Sequence, residues 1–149
     1  MMAEALAIRP ATPADAPACA AILNAWIDET PWMPRVHSHE NVERHYRDFV
    51  FKNRKVTVAG DDAPVGYLAV DEEEGFITSF FLKADARGTG IGRRLLECAK
   101  AKADQLQLWT FVENRGARRF YEREGFTEIE RSDGDNEESL PDILFRWAA

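Results

Sequence analysis

Six residues constrain this chain more than any others: Arg87-Gly88-Thr89-Gly90-Ile91-Gly92, set between an apolar run from Phe76 to Leu82 and an amphipathic segment that begins at Ile91. The order is strand, glycine turn, helix start. Three glycines in five residues lose backbone entropy on folding, and they make sense where a chain turns tightly and brings bare N–H groups close to a ligand. A helix N-terminus adds partial positive charge, and Arg87, Arg93 and Arg94 reinforce it, so the turn reads as a site for a phosphate-bearing ligand. No Lys-Ser or Lys-Thr follows the glycines, which argues against a nucleoside-triphosphate loop. A dinucleotide fingerprint fails in both registers, because Arg93 or Leu95 stands where its last glycine is required.

The Arg-x-x-Gly-x-Gly spacing over residues 87–92 resembles the GCN5-related N-acetyltransferase (GNAT) family. A second stretch strengthens the likeness: Leu106 to Val112, then Glu113-Asn114, then Ala117, Phe120-Tyr121 and Gly125-Phe126. It is similar to the family's strand, asparagine, helix with Phe-Tyr, and Gly-Phe entry into another strand. The resemblance spans about residues 75–131.

Composition sets the outer limits. A chain of 149 residues is of ordinary single-domain size and buries roughly two-thirds of its unfolded surface without staples. Cys19 and Cys98 have neither metal-type spacing nor disulfide density, so a reducing cytoplasm is expected. The opening Met-Met-Ala-Glu-Ala-Leu does not read as a leader, and no apolar run reaches the ~20 residues of a membrane helix. The net charge of −7 argues against general affinity for nucleic acid or anionic membranes.

Along the chain, Leu6 to Arg9 reads as a strand and Thr12-Pro13 as a helix start, with Ala16, Cys19, Ala20, Leu23, Trp26 and Ile27 on one apolar face as far as about Asp28. Thr30-Pro31 to Pro34 ends it. Ser38 caps a second helix to about Phe51, with Val42, Tyr46, Phe49 and Val50 on one face. Three β-rich runs follow at 55–59, 65–70 and 76–82, then a helix at 91–104, a strand at 106–112, a helix at 115–124, and a final hairpin of 126–130 with 143–147. The predicted fold is an α/β single domain over residues 1–149, a mixed, mostly antiparallel sheet flanked by about four helices in the order β-α-α-β-β-β-α-β-α-β-β. This is also the order the resemblance implies. An exposed edge strand in the final hairpin would permit a homodimer.

The resemblance implies acetyl-CoA as cofactor, with its pyrophosphate on Arg87, Gly88, Thr89, Gly90, Ile91, Gly92 and Arg93. It places the pantetheine arm along the backbone of Phe81 and Leu82. Asn114 matches a position that caps the helix, contacts the pantetheine amides, or does both. Arg118 is a candidate for the cofactor's phosphates, against the plainer reading of a solvated arginine. Tyr121 is the expected catalytic residue: a phenol near pKa ~10 can donate to a thiolate whose parent thiol lies near ~8.5. Without the motif around it, a core tyrosine would be the ordinary reading.

The strand from Gly75 to Leu82 holds no glutamate, so a direct carboxylate base from it is in doubt. Water relayed to Ser79, Asp28, Glu29, Glu72 or His37 is one alternative, and an amine that arrives neutral is another. Glu29, Trp32 and Ser79 are candidates for the acceptor side, while Trp26 reads more simply as core. His37 and His39 read as solvated, and no metal is expected. The acids at 132–142 and at Asp71 to Glu74 could attract a cationic acceptor, although a solvated face is their plainer reading. The leading expectation is an N-acetyltransferase moving acetyl from acetyl-CoA to a small-molecule primary amine by direct transfer. An acyl-CoA-binding regulatory module without chemistry, and acyl transfer to a protein or peptide amine or to a hydroxyl, are the alternatives.

Overall fold

The computed structural model describes residues 6–149; the opening Met-Met-Ala-Glu-Ala lies outside them. Seven strands form one sheet: β1 (Ile8–Pro10), β2 (Lys55–Ala59), β3 (Gly66–Asp71), β4 (Phe76–Leu82), β5 (Gln105–Phe111), β6 (Thr127–Ser132) and β7 (Asp142–Ala148). Their spatial order is β1-β2-β3-β4-β5-β7-β6. All neighbours are antiparallel except β4 and β5, which run parallel. The element order matches the sequence expectation, with boundaries shifted by a few residues.

Helix α1 (Ala16–Glu29) follows a short 3₁₀ turn at Pro13–Asp15. The turn is pinned from two sides. The Thr12 N–H donates to the Asp15 carboxylate at 2.9 Å, and Arg9 binds the same carboxylate at 2.8 and 3.0 Å, tying the helix entry to β1. The Arg9 guanidinium accordingly holds the Asp15 carboxyl below the ordinary range. Cys19, Ala20 and Ile22 are buried in α1, while Leu23, Trp26 and Ile27 are only half-buried.

Helix α2 starts at His39–His45, with the Ser38 hydroxyl accepting from the Asn41 N–H at 3.1 Å. It widens into a π turn at Tyr46–Val50 and closes over Phe51–Asn53. The widening corrects one expectation. Val42, Tyr46 and Val50 are buried as the periodicity implies, but Phe49 is 41% exposed. Its ring stacks on His45 and lies under the Arg54 guanidinium instead. An inserted residue in a π turn rotates the positions around it off the 3.6-residue stripe.

Helices α3 (Ile91–Lys100) and α4 (Arg115–Arg123) complete the order. Two cores result. One packs Ile91, Leu95 and Leu96 of α3 and Tyr121 of α4 against Leu68, Ile77, Leu106, Leu108, Ile143 and Phe145. The other packs Cys19, Ala20 and Ile22 of α1 and Val42, Tyr46 and Val50 of α2 against Val56, Val58, Tyr67 and Ala69. The sheet lies between the two. Among the described residues, no helix is long and apolar enough to cross a membrane.

Candidate active site

The site is made where the sheet fails to close. Strands β4 and β5 pair only at Phe76 and Gln107, supplemented by the Gln107 N–H donating to the Gly75 carbonyl at 2.9 Å. Beyond that point they diverge. The gap between them is a cleft of about 1000 Å³, walled by Thr78 to Leu82 of β4 and Leu108 to Phe111 of β5 and continued between α3 and α4. Strand alternation decides what the β4 wall offers. The Lys83 N–H donates to the carbonyl of Val65, just ahead of β3, so the neighbouring Leu82 turns its backbone groups away from β3, and by the two-residue period Phe80 does the same. These are open-edge groups that an extended amide-bearing chain can pair with, as an added strand would.

At the mouth of the cleft lies the glycine turn. Gly88 and Gly90 have φ of +74° and +88°, a region that costs a side-chain-bearing residue strain. Gly90 is the N-cap of α3 and supplies no side chain to bond the first helical N–H groups. The Thr89 hydroxyl does not substitute, because it donates to the Ala86 carbonyl at 2.5 Å and so braces the turn. A Cβ on Gly88 would meet nothing within 4 Å, so no protein atom crowds the turn on that side. Uncapped donors at a helix N-terminus facing open space fit a phosphate group. Ile91 is fully buried and contributes its side chain to the core, so only its backbone faces the turn's task.

Four side chains have surroundings that the sequence does not suggest. Arg87 lines the cleft, but its guanidinium donates to Glu29 Oε1 at 2.7 Å and to the Leu82 carbonyl at 3.1 Å. Glu29 is thereby joined to the turn instead of standing free for an acceptor. Arg118 is not part of the cleft wall; it donates to the Val112 carbonyl at 3.1 Å, within the loop ahead of α4. Besides Arg87, the cations that reach the cleft are Arg93, Lys100 and Arg123, with Glu97 and Glu124 beside them. Trp26 lines the cleft, with its ring 5.1 Å from Phe81, while Trp32 packs edge-on behind it at 5.8 Å and reaches Phe111 at 5.9 Å. An aromatic wall therefore crosses from α1 to β5.

Asn114 caps α4, its side chain accepting from the Ala117 N–H at 3.2 Å, and it also lines the cleft. Tyr121 is 8% exposed, lines the cleft, and is surrounded by the rings of Phe80, Phe120, Phe126 and Phe145. Burial pushes its phenol well above the ordinary value, so it keeps its proton throughout the neutral range. Ser79 lines the cleft and meets Tyr46, a partner on α2 that sequence alone gave no reason to expect.

The residues considered as bases are engaged or remote. Asp28 bonds His39 and Arg35, which hold its carboxyl low; His37 pairs with Glu137 at 2.5 Å; Glu72 lies in a small separate pocket at the far end of the sheet. Neither cysteine offers a nucleophile in the cleft. Cys19 is fully buried, with its thiol pushed up to about 12 by desolvation, and Cys98 lies by the far pocket.

A family model for the acetyltransferase (GNAT) domain matches residues 52–128. The chain belongs to the GNAT acetyltransferase family. It is 26% identical over 136 residues to the peptidyl-lysine N-acetyltransferase YiaC of Escherichia coli strain K12, covering 85% of this chain and 88% of that protein. Matches to other curated N-acetyltransferases run over 81 residues, and the chain spans 36% of the length of one and 54% of the length of two. Among solved structures, apo YjaB from E. coli superposes with a TM-score of 0.77 at 25% identity, over 95% of this chain and 97% of that one. A putative acetyltransferase, yncA of Salmonella typhimurium, solved with acetyl-CoA, shares the fold with a TM-score of 0.73 at 20% identity, over 97% and 94% of the two chains. The GNAT fold accounts for the splayed β4 and β5 and for the glycine turn at their mouth.

Proposed function

We propose that this GNAT acetyltransferase takes its acetyl group from acetyl-CoA and passes it, by direct transfer in a ternary complex, to the side-chain amine of a lysine in a protein or peptide. The observation that carries the donor half is the cleft: an open strand edge at Phe80 to Leu82 that leads from uncapped N–H groups at Gly88 to Arg93 toward Tyr121. When bound, acetyl-CoA supplies the thioester. The chain's residues do the rest. Backbone N–H groups of the turn hold the pyrophosphate, the β4 edge orients the pantetheine arm, and the Tyr121 hydroxyl meets the departing sulfur. Direct transfer follows from the lack of a cysteine in the cleft wall.

Two features support a lysine acceptor. YiaC, similar along most of its length, is named a peptidyl-lysine N-acetyltransferase. In addition, the loop between β6 and β7 carries Asp133, Asp135, Glu137 and Glu138, and the Glu137–His37 contact fastens it to the α1–α2 loop, which adjoins the aromatic wall. An acidic rim beside aromatic faces suits a cationic side chain.

The test is an acceptor screen with acetyl-CoA, comparing a lysine peptide, the same peptide with its lysine amine blocked, and small free amines. The lysine peptide should give the highest kcat/KM and the blocked peptide none; faster transfer to a small amine would replace the acceptor assignment. In the same assay kcat/KM should rise with pH toward the amine's own pKa of ~10.4, with no other ascending limb, because the cleft wall near the aromatic end holds no carboxylate. An added limb between pH ~5 and ~8 would place a base there.

A further inference from the structure

Beneath the acceptor end of the cleft lies a line of three hydroxyls from three different elements. Tyr67 of β3 is fully buried, and Tyr46 of α2 is 2% exposed. Their hydroxyls bond each other, and the Tyr46 hydroxyl donates to Ser79 Oγ at 3.3 Å. Ser79 is half-buried and opens on the cleft.

The direction of the chain follows from counting protons. Tyr46 and Ser79 are the hydrogen-bonding neighbours of the Tyr67 hydroxyl, and an unpaired phenol proton in an apolar core is costly, so the pairing that satisfies both phenols directs their protons toward Ser79. With Ser79 Oγ accepting from Tyr46, its own proton donates to no protein group among the described hydrogen bonds and is available to the cleft that Ser79 lines. Ser79, whose own backbone faces β3, sits one residue before Phe80, whose N–H turns to the open edge beside it. We propose that Tyr67 and Tyr46 are positioning residues that fix Ser79 as a hydrogen-bond donor to the thioester oxygen, making it a catalytic residue of the transfer. This rests on the proposed acetyl transfer.

The same geometry excludes the opposite role. A base at Ser79 would need somewhere to send a proton, but the chain behind it ends at Tyr67 in the core. Desolvation raises both phenols, Tyr46 to about 12 and Tyr67 well above the ordinary value, so neither ionises to receive one. The step balances without proton movement through the chain. As the amine attacks, the carbonyl π pair moves onto oxygen, where the Ser79 O–H and the Phe80 N–H meet it. It returns to carbon as the C–S bond breaks and the sulfur leaves with its pair, while the nitrogen, cationic after attack, gives up its extra proton to solvent, from which the thiolate is reprotonated. Each hydroxyl donating to the next polarises the chain toward the oxygen.

Four variants of the full chain test this: Ser79→Ala, Ser79→Thr, Tyr46→Phe, and Ser79→Ala with Tyr46→Phe. Loss of one oxyanion donor should lower kcat roughly 10- to 100-fold in Ser79→Ala, with KM for acetyl-CoA and for the lysine peptide little changed. Ser79→Thr should recover most of the loss. Tyr46→Phe should lower kcat several-fold when Ser79 is present and add nothing in the Ser79→Ala background. An unchanged kcat in Ser79→Ala, a change confined to KM, or additive losses in the double variant would overturn the assignment. Ser79→Ala takes the acceptor from the buried Tyr46 hydroxyl, so thermal unfolding of each variant is read first; Ser79→Thr keeps the acceptor and the double variant removes donor and acceptor together, and these two remain informative if a single variant unfolds. Should the parent transfer acetyl to no amine, the proposed function itself falls; an active parent with an indifferent Ser79→Ala removes only this inference.

Discussion

Gly90→Val should reduce acetyl-CoA affinity at least ~100-fold while the protein still folds. Gly90 sits at φ +88° as the N-cap of α3, a conformation that a β-branched residue holds only under strain. The strain costs about 1–3 kcal/mol, less than the ~5–15 kcal/mol by which an ordinary domain is stable. The chain relieves it by rotating the turn, and rotation misaims the uncapped N–H groups at the start of α3. Hydrogen bonds to a charged group contribute ~1.5–3 kcal/mol each, so losing two accounts for a hundredfold or more. Titration calorimetry of the folded variant reads this directly. Parental affinity would show that the turn does not hold the donor.

Tyr121→Phe should lower kcat by about 10- to 100-fold and leave acetyl-CoA affinity and thermal stability close to the parent's. Stability is spared because the ring stays in its cage of Phe80, Phe120, Phe126 and Phe145, while the hydroxyl removed has no partner among the described hydrogen bonds. On the proposed mechanism the rate is not spared, because there that hydroxyl meets the leaving sulfur. Burial makes the phenol a weaker acid than a thiol of pKa ~8.5, so its contribution is a hydrogen bond to the developing thiolate rather than full transfer of its proton. For the same reason Tyr121 should impose no falling limb on the pH–rate profile below about pH 10. An unchanged kcat in Tyr121→Phe would remove it from the mechanism.

These two residues were legible in the sequence because their signals are local. A glycine at the end of a strand and the start of a helix announces its own conformation, and Tyr121 shares a helical stripe with Ala117 and Phe120. The order of strands and helices was legible for the same reason, since each period and breaker belongs to one element. Partners that depend on distant elements were not. Arg87 looks like a free phosphate ligand until α1 brings Glu29 within 2.7 Å, and Arg118 looks like a cleft residue until its guanidinium turns to Val112. Long flexible side chains settle on whatever the fold brings near. Phe49 was misplaced because a π turn has no signature in a 3.6-residue pattern. Tyr46, Tyr67 and Ser79 lie on three elements with no spacing to connect them, so their hydroxyl chain exists only in three dimensions. Trp26 could have been found: it falls at the ragged end of the α1 stripe, where a large half-buried ring often borders a cavity rather than a core.

The most direct test of the account is thermal unfolding of the parent chain with acetyl-CoA, CoA, NAD or ATP at millimolar concentration. A ligand at 100 times its Kd adds about 2.7 kcal/mol of stability, which for a chain of 149 residues is a rise of several degrees in Tm. Acetyl-CoA and CoA should both produce that rise, and NAD and ATP should not, because the cleft joins a pyrophosphate cradle to a strand edge suited to the pantetheine arm. Equal shifts with all four would reduce the turn to a general phosphate site, and no shift with acetyl-CoA or CoA would contradict the assignment of the cleft.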